Sequence, residues 1–503
     1  MCALMKNPCP APSLVRRGAA LLIAGAVAFA PVGGGAQTDN LPRLGDAGAD
    51  ELTPAAERRL GEQIMRSVRR DVAVSDDVEI SEYLNRLVAR LASTPAASGF
   101  SFEPFLVRDG TLNAFALPGG FIGVHTGLIT AAVTESELAS VLAHEIGHVT
   151  QRHIARMLSQ QRLSTPAVMA AMVLAALAAR SNPQAAMGAV TMVAGAQQQQ
   201  MLAFSRDAER EADRVAMDTI RQADFDPAGM VDFFGRLQRA NRLNEDKAPG
   251  YMRSHPLTVE RIADLQARLT EMRYRQRLDS VEFRLVRARL AATADTSVDG
   301  LGAARARFER ALRDRSTTDE LSAWYGIAAV ALAQRDFGGA SRAIGEARVR
   351  IPAGHPYVER LAAEVQLRSG DPAGALATAE AASARFAGAR ALGHLQAEAM
   401  IESREFSRAA AFLEDQLTLY RSDPVLWRLL SRARNGLGQT GLAHRATAEE
   451  YALAGGWLAA LEQLRLAQRS PGLDFYTASR IDARIREVQA EYTREQQDRA
   501  ANR

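Results

Sequence analysis

Cysteine is nearly absent. The 503 residues hold two, Cys2 and Cys9, both within the first 36. Residues 1–36 also lack Asp and Glu, while they carry Lys6, Arg16 and Arg17. The whole chain has 61 Lys and Arg against 58 Asp and Glu, a formal net charge of +3. Removing those three basic residues leaves 58 against 58, a net charge of zero. From residue 37 onward there is no thiol. That excludes a disulfide scaffold, a thiol nucleophile, a Cys-ligated zinc site and an iron–sulfur cluster. Balanced charge removes the basic face that nucleic-acid binding needs. Aromatic residues make up only 6%. The three tryptophans, Trp324, Trp427 and Trp457, fall late in the chain and read as packing residues. Long apolar runs are missing too. Residues 18–30, 166–179 and 184–196 are each 13 or 14 residues long, below the roughly 20 that a membrane-spanning helix needs.

The first of these runs, GAALLIAGAVAFA, follows Arg16-Arg17 and precedes Pro31 and a small-residue stretch ending at Ala36. That is the order of a secretory signal peptide, with cleavage expected near Ala36. No cysteine follows the run, so a lipid anchor is unsupported. The expected destination is the periplasm. The other two runs, split by Arg180-Ser181-Asn182-Pro183, read as a helical hairpin over 166–196. It is either buried or in contact with a membrane surface or substrate.

Downstream of the signal the pattern is mainly helical. Leu60, Ile64, Val68, Ile80, Leu84, Leu87, Val88 and Leu91 recur at helical spacing. Residues 101–129 change to short β-rich runs punctuated by Asp109-Gly110 and Pro118-Gly119-Gly120, which predicts a small antiparallel sheet. Thr134 with Glu137 is a capping-box start for the next helix. Past residue 280 the chain repeats. Ala340, Ala375, Ala409 and Ala443 occupy matching positions at steps of 35, 34 and 34 residues. This is the period of the tetratricopeptide repeat, a stack of helix pairs. Gly456-Trp457 follows at half a period and predicts a closing helix. The expected division is a signal at 1–36, a catalytic domain at 37–275, an α-solenoid of repeats at 280–475 and a charged tail at 476–503, either a solvated helix or disordered.

The chemistry lies in His144-Glu145-Ile146-Gly147-His148. Residues i and i+4 share a helix face, so both imidazoles can hold one ion. Glu145, about 100° around the helix, can reach a metal-bound water as general base. The third ligand cannot be cysteine. Glu209 and Asp213 in the run Glu209-Arg210-Glu211-Ala212-Asp213 again share a face. Glu209 can complete a His₂Glu site, and Asp213 can accept the free N–H of a ligand histidine. His153 and His125 are expected to be non-ligands.

Four stretches carry a resemblance: NAFALPGGFIGVHTGL at 113–128, LAHEIGHVTQ at 142–151, SRDAEREAD at 205–213 and SHPLTVER at 254–261. Together with the repeats, they resemble the HtpX/Ste-type gluzincin peptidases, and among these the soluble periplasmic BepA-like branch. The resemblance implies an α+β metallopeptidase domain followed by the solenoid, with one Zn²⁺ on His144, His148 and Glu209 and Glu145 as base. It implies a substrate-binding edge strand at Phe121, Ile122, Gly123, Val124 and His125, which can hold an extended peptide by backbone bonds. It places His255 near the active site, either stabilising the oxyanion or capping the open metal position; Arg261 reads as structural. It further implies misassembled outer-membrane proteins as clients and the β-barrel assembly machinery as partner of the repeats. Two other readings remain open: a chaperone or assembly adaptor with a mostly closed zinc site, and a membrane-embedded protease.

Overall fold

The computed structural model describes residues 52–70, 73–161, 195–243, 250–272, 277–314 and 319–501. The expected signal peptide lies outside the described residues, as does the hairpin through residue 194. Among the described residues, no helix is long and apolar enough to cross a membrane.

Two capped helices open the fold: α1 (Pro54–Val68), whose Ala56 N–H donates to Thr53, and α2 (Val78–Ala92), whose Ile80 N–H donates to Asp77. Strands β1 (Glu103–Val107), β2 (Ala114–Leu117) and β3 (Phe121–His125) form one sheet in the order β1-β3-β2. β3 pairs parallel with β1, Glu103 opposite Phe121, and antiparallel with β2, Leu117 opposite Phe121. The sheet is therefore mixed, not antiparallel as expected. The tight Pro118–Gly120 turn makes a hairpin of β2 and β3, and it is β3 that inserts beside β1. Gly119 and Gly120 have φ of 77° and 86°, a left-handed backbone that glycine adopts at little cost.

This topology corrects a second expectation. Phe121, Ile122, Gly123, Val124 and His125 form the central strand, not an edge. All five are buried and both backbone edges are already paired, so β3 cannot accept a peptide strand. Residues 73–75 cover part of β1's outer side through the Val74–Val107 bridge. Among the described residues, the outer edge of β2 has no ladder partner.

After a short α3 (Thr126–Ala131) comes α4 (Glu135–Thr150), the central helix of the domain. Thr134 accepts the Glu137 N–H at 3.2 Å, and the Glu137 carboxylate reaches back to the Val133 N–H. Every residue of α4 except His148 is buried. It packs against α2, β2, α6 (Gly195–Gln222) and α7 (Ala228–Leu243). Short helices α5 (His153–Gln161), α8 (Gly250–Ser254) and α9 (Val259–Thr270) complete this part.

From α10 (Val281–Ala292) and α11 (Val298–Arg313) the chain becomes a helical repeat. Its pairs are α12 (Glu320–Ala333) with α13 (Phe337–Arg350), α14 (Pro356–Arg368) with α15 (Pro372–Arg385), α16 (Arg390–Glu402) with α17 (Phe406–Leu419), and α18 (Pro424–Gly436) with α19 (Thr440–Leu453). α20 (Trp457–Arg469) packs directly on α19. The charged tail is a packed helix, α21 (Phe475–Ala501), with Ile481 and Val488 buried against α20. Ile481, Ile485 and Val488 form an apolar stripe at helical spacing that the surrounding charges had hidden.

One buried apolar cluster runs without interruption from Ile80 and Leu142 through Phe233 and Phe283 to Tyr325 and Val365. The repeats and the catalytic helices thus share a core. A buried charged knot reinforces the junction. Glu79 on α2 is fully buried; it accepts from Tyr325 Oη at 3.0 Å and pairs with Arg289 at 3.1 Å and Arg360 at 3.4 Å. Removing one member of a buried ion network leaves the others unpaired, at about 3–5 kcal/mol. Glu79→Ala is expected to lower the thermal midpoint by several degrees while keeping a single transition. Calorimetry of the full chain checks this; separate melting of repeats and catalytic part would contradict the shared core.

Candidate metal centre

His144 and His148 point from one face of α4 toward Glu209 on α6. The helices meet at Gly147, where a Cβ would lie 3.0 Å from the Ala212 carbonyl oxygen. Any side chain at 147 would push α6 and its carboxylates away from the histidines.

Four donors converge: His144 Nε2, His148 Nε2, a Glu209 oxygen and His255 Nδ1, all within 4.8 Å of one another. His144 Nε2 is 3.0 Å from His148 Nε2, 3.3 Å from His255 Nδ1 and 3.3 Å from Glu209 Oε2. Glu209 Oε1 is 3.5 Å from His148 Nε2 and 3.1 Å from His255 Nδ1. Ligands about 2.0–2.1 Å from a tetrahedral ion stand about 3.4 Å apart, so this spacing fits one such ion. His255 Nδ1 stands beside His144 and Glu209, close enough to be a fourth donor. Glu145 lies beside the cluster, 1% exposed, with Oε1 free of hydrogen bonds and 3.5 Å from His255 Nε2. A buried carboxylate oxygen without a partner is costly unless a ligand or water meets it. The nitrogen and carboxylate donor set and this orphaned oxygen together fit a divalent ion with an activated water.

Each donor is itself held. His144 Nδ1 lies 3.0 Å from Asp213 Oδ1, a close approach that departs from hydrogen-bond alignment. Arg261, 3% exposed, forks onto Asp213 at 2.7 and 2.8 Å and reaches Glu209 Oε2 at 2.8 Å. It thereby positions both acids. Burial alone would depress His144, but the Asp213 and Glu209 carboxylates beside it push its pKa up to about 9. Burial opposes ionisation of Glu209 as well, yet His255 and His144 hold its carboxyl well below the usual range. Burial together with the neighbouring His144 pushes His148 down. The pocket therefore keeps carboxylate charge in a buried place, which a cation balances.

His153 is expected to be a non-ligand, and no role is expected of Glu211. His153 is not among the converging donors, but it is part of their support. Its Nδ1 lies 2.8 Å from His148 Nδ1, and its Nε2 lies 3.1 Å from Glu211, which also accepts from Arg156 at 2.8 Å. Arg152, with φ of 54°, breaks the helix between α4 and α5 and swings His153 back under His148. On an unbroken helix, His153 would point away. His125 stays remote, 2.9 Å from Thr111 Oγ1 within the sheet. The buried Tyr251 ring stacks on His255 with centroids 4.6 Å apart, and its N–H donates to Leu112 just before β2.

Residues 79–269 match the model of Peptidase family M48. A relative in Vibrio cholerae is 31% identical over 91% of this chain and 94% of its own length. The "Beta-barrel assembly-enhancing protease" of Escherichia coli is 30% identical over 89% of this chain and 91% of its own. The "Mitochondrial metalloendopeptidase OMA1" of Schizosaccharomyces pombe is 31% identical over 38% of this chain and 53% of its own. Similarity across almost the whole chain, together with four converging donors in the matched region, assigns the protein: it belongs to peptidase family M48 and is a metalloendopeptidase.

Proposed function

We propose that this chain is a zinc-dependent endopeptidase of the periplasm that cleaves misfolded or stalled outer-membrane proteins. In this reading the helical repeats, of tetratricopeptide type, hold the client or a partner such as the β-barrel assembly machinery. The observation that carries the enzymatic part is the convergence of His144, His148, Glu209 and His255 beside the orphaned Glu145 oxygen. The periplasmic and outer-membrane parts are supported by the signal-like N-terminus and by the names of the full-length relatives.

A bound zinc ion supplies Lewis-acid chemistry, polarising the scissile carbonyl and acidifying water. Glu145 takes the proton of the attacking water and delivers it to the leaving amine. Asp213 and Arg261 orient His144 and Glu209, and His153 with Glu211 fixes the ring of His148. The outer edge of β2, unpaired among the described residues, can add an extended peptide through backbone bonds, the role that the resemblance implies for β3. His144, His148 and Glu209 would hold the ion, and His255 would cap its remaining position in a resting state. A catalytic metal site needs that position open to water and substrate, so His255 must leave during turnover.

A capped fourth position also favours a second reading, in which the chain acts mainly as an assembly adaptor. Glu145→Gln separates the two. It is expected to keep metal and fold and to lose at least a hundredfold in casein cleavage; full cellular function of this variant would favour the adaptor.

Two further outcomes follow for single residues. His255→Ala is expected to raise casein cleavage several-fold at unchanged metal content, because it opens the fourth position. A tenfold fall would instead assign His255 to the oxyanion. His153→Ala is expected to weaken zinc retention about 10–100-fold, the usual effect of losing a ligand's outer partner. Competition with a chelator reads this directly, and unchanged retention would remove His153 from the site.

A further inference from the structure

The repeats contain a cavity of about 480 Å³, formed by α17, α18, α19 and α21 and lined by Arg421, Arg445 and Arg480 together with Leu417, Leu430 and Trp427. Among the described residues, none of the three arginines pairs with a carboxylate. Arg480 meets only the ring of Tyr476, at 5.6 Å. The acids nearby are already committed. Glu414, which also lines the cavity, pairs with Arg434, and Glu449 takes a fork from Arg484 at 2.9 and 3.0 Å. Burial and the facing Arg480 push the half-buried Arg445 below its ordinary value. Glu414 and Glu449 lie near Arg445 but are engaged by Arg434 and Arg484, so the three arginines together leave an excess of positive charge that an anion would relieve.

The wall narrows the choice of anion. Leu417 and Leu430 are buried, and the Trp427 indole N–H already donates to the Arg421 carbonyl at 2.9 Å. These three therefore offer the cavity apolar surface. A phosphate would satisfy the arginines and leave that surface uncovered. A polypeptide C-terminus carries its carboxylate and an apolar side chain on the same carbon, so it meets both. The volume lies within the roughly 300–1,000 Å³ of small-ligand sites. We propose that this cavity binds the free C-terminal carboxylate of a polypeptide ending in an apolar residue. The inference deepens the reading that the repeats hold a client, and rests on it only in taking the ligand to be a polypeptide.

The test uses the full chain carrying Glu145→Gln, so that peptide is not consumed. A fluorescein-labelled hexapeptide ending in Leu is titrated as the free acid and as the C-terminal amide, with anisotropy as readout. The acid is expected to bind at least tenfold more tightly than the amide. Arg421→Ala and Arg480→Ala, at exposed positions that do not endanger folding, are each expected to weaken the acid about tenfold and leave the amide unchanged. Equal binding of acid and amide overturns the proposal, as does wild-type affinity in both arginine variants. Displacement of the peptide by inorganic phosphate at comparable concentration overturns it in favour of a simple anion site.

Discussion

At Gly147, the two helices that carry the metal donors meet with no side chain between them, and the geometry of the centre depends on that contact. The donors and their support straddle it symmetrically. His144 and His148 lie three residues before and one after Gly147; Glu209 and Asp213 lie three before and one after Ala212. Two helices in such close contact place side chains at these offsets in facing registers. The spacing of about 3.0–3.5 Å among donors is thus a property of backbone packing, fixed before any ion arrives. An Ala at 147 would crowd Ala212 backbone atoms that cannot swing aside, so the smallest possible side chain would already enlarge the cage.

Charge explains why the surroundings are so heavily engaged. Buried carboxylates cost free energy unless they are paired, and the pocket holds three: Glu145, Glu209 and Asp213. Arg261 alone meets two of them, and the imidazoles meet Glu209 from the other side. With no cysteine beyond residue 9, the region of the centre has only such nitrogen and oxygen donors to offer, and these suit a hard or borderline divalent ion. Glu145 is the member left without a hydrogen bond at Oε1, which suits a group that must exchange a proton with water.

Much of this was legible in the sequence, because it rests on helical periodicity. His144 with His148 and Glu209 with Asp213 are i,i+4 pairs, and the matching alanines 35, 34 and 34 residues apart foretell helix pairs whose second members begin at Phe337, Pro372, Phe406 and Thr440. What escaped depends on contacts between elements or on breaks in phase. Strand order cannot be read from three short runs, and the edge that the resemblance implies at Phe121–His125 is the centre of the sheet. His153 is a non-ligand as expected, but its support of His148 depends on the left-handed Arg152, which resets the helical phase. The tail looked solvated because charge outnumbers Ile481, Ile485 and Val488, but a stripe needs only one residue per turn.

The continuous core also restricts how the site can open. A rigid swing of the repeats would break the Glu79 knot and divide an apolar cluster that reaches from Ile80 to Val365. At the other end of the repeats, Glu495 on α21 lies 3.7 Å from Arg66 on α1, a second attachment. By contrast, His255 follows the five-residue α8 and is held by the Tyr251 ring, by Glu209 and by one backbone bond to Tyr251. Displacing it disturbs a few contacts and no shared core. Tyr251 in turn hangs from the Leu112 carbonyl, immediately before the free edge of β2. A peptide adding to that edge would pull on the backbone that supports Tyr251, and hence on the ring that stacks on His255. His255 is thus the donor whose displacement disturbs least, and it stands apart from the close contact of α4 with α6 at Gly147.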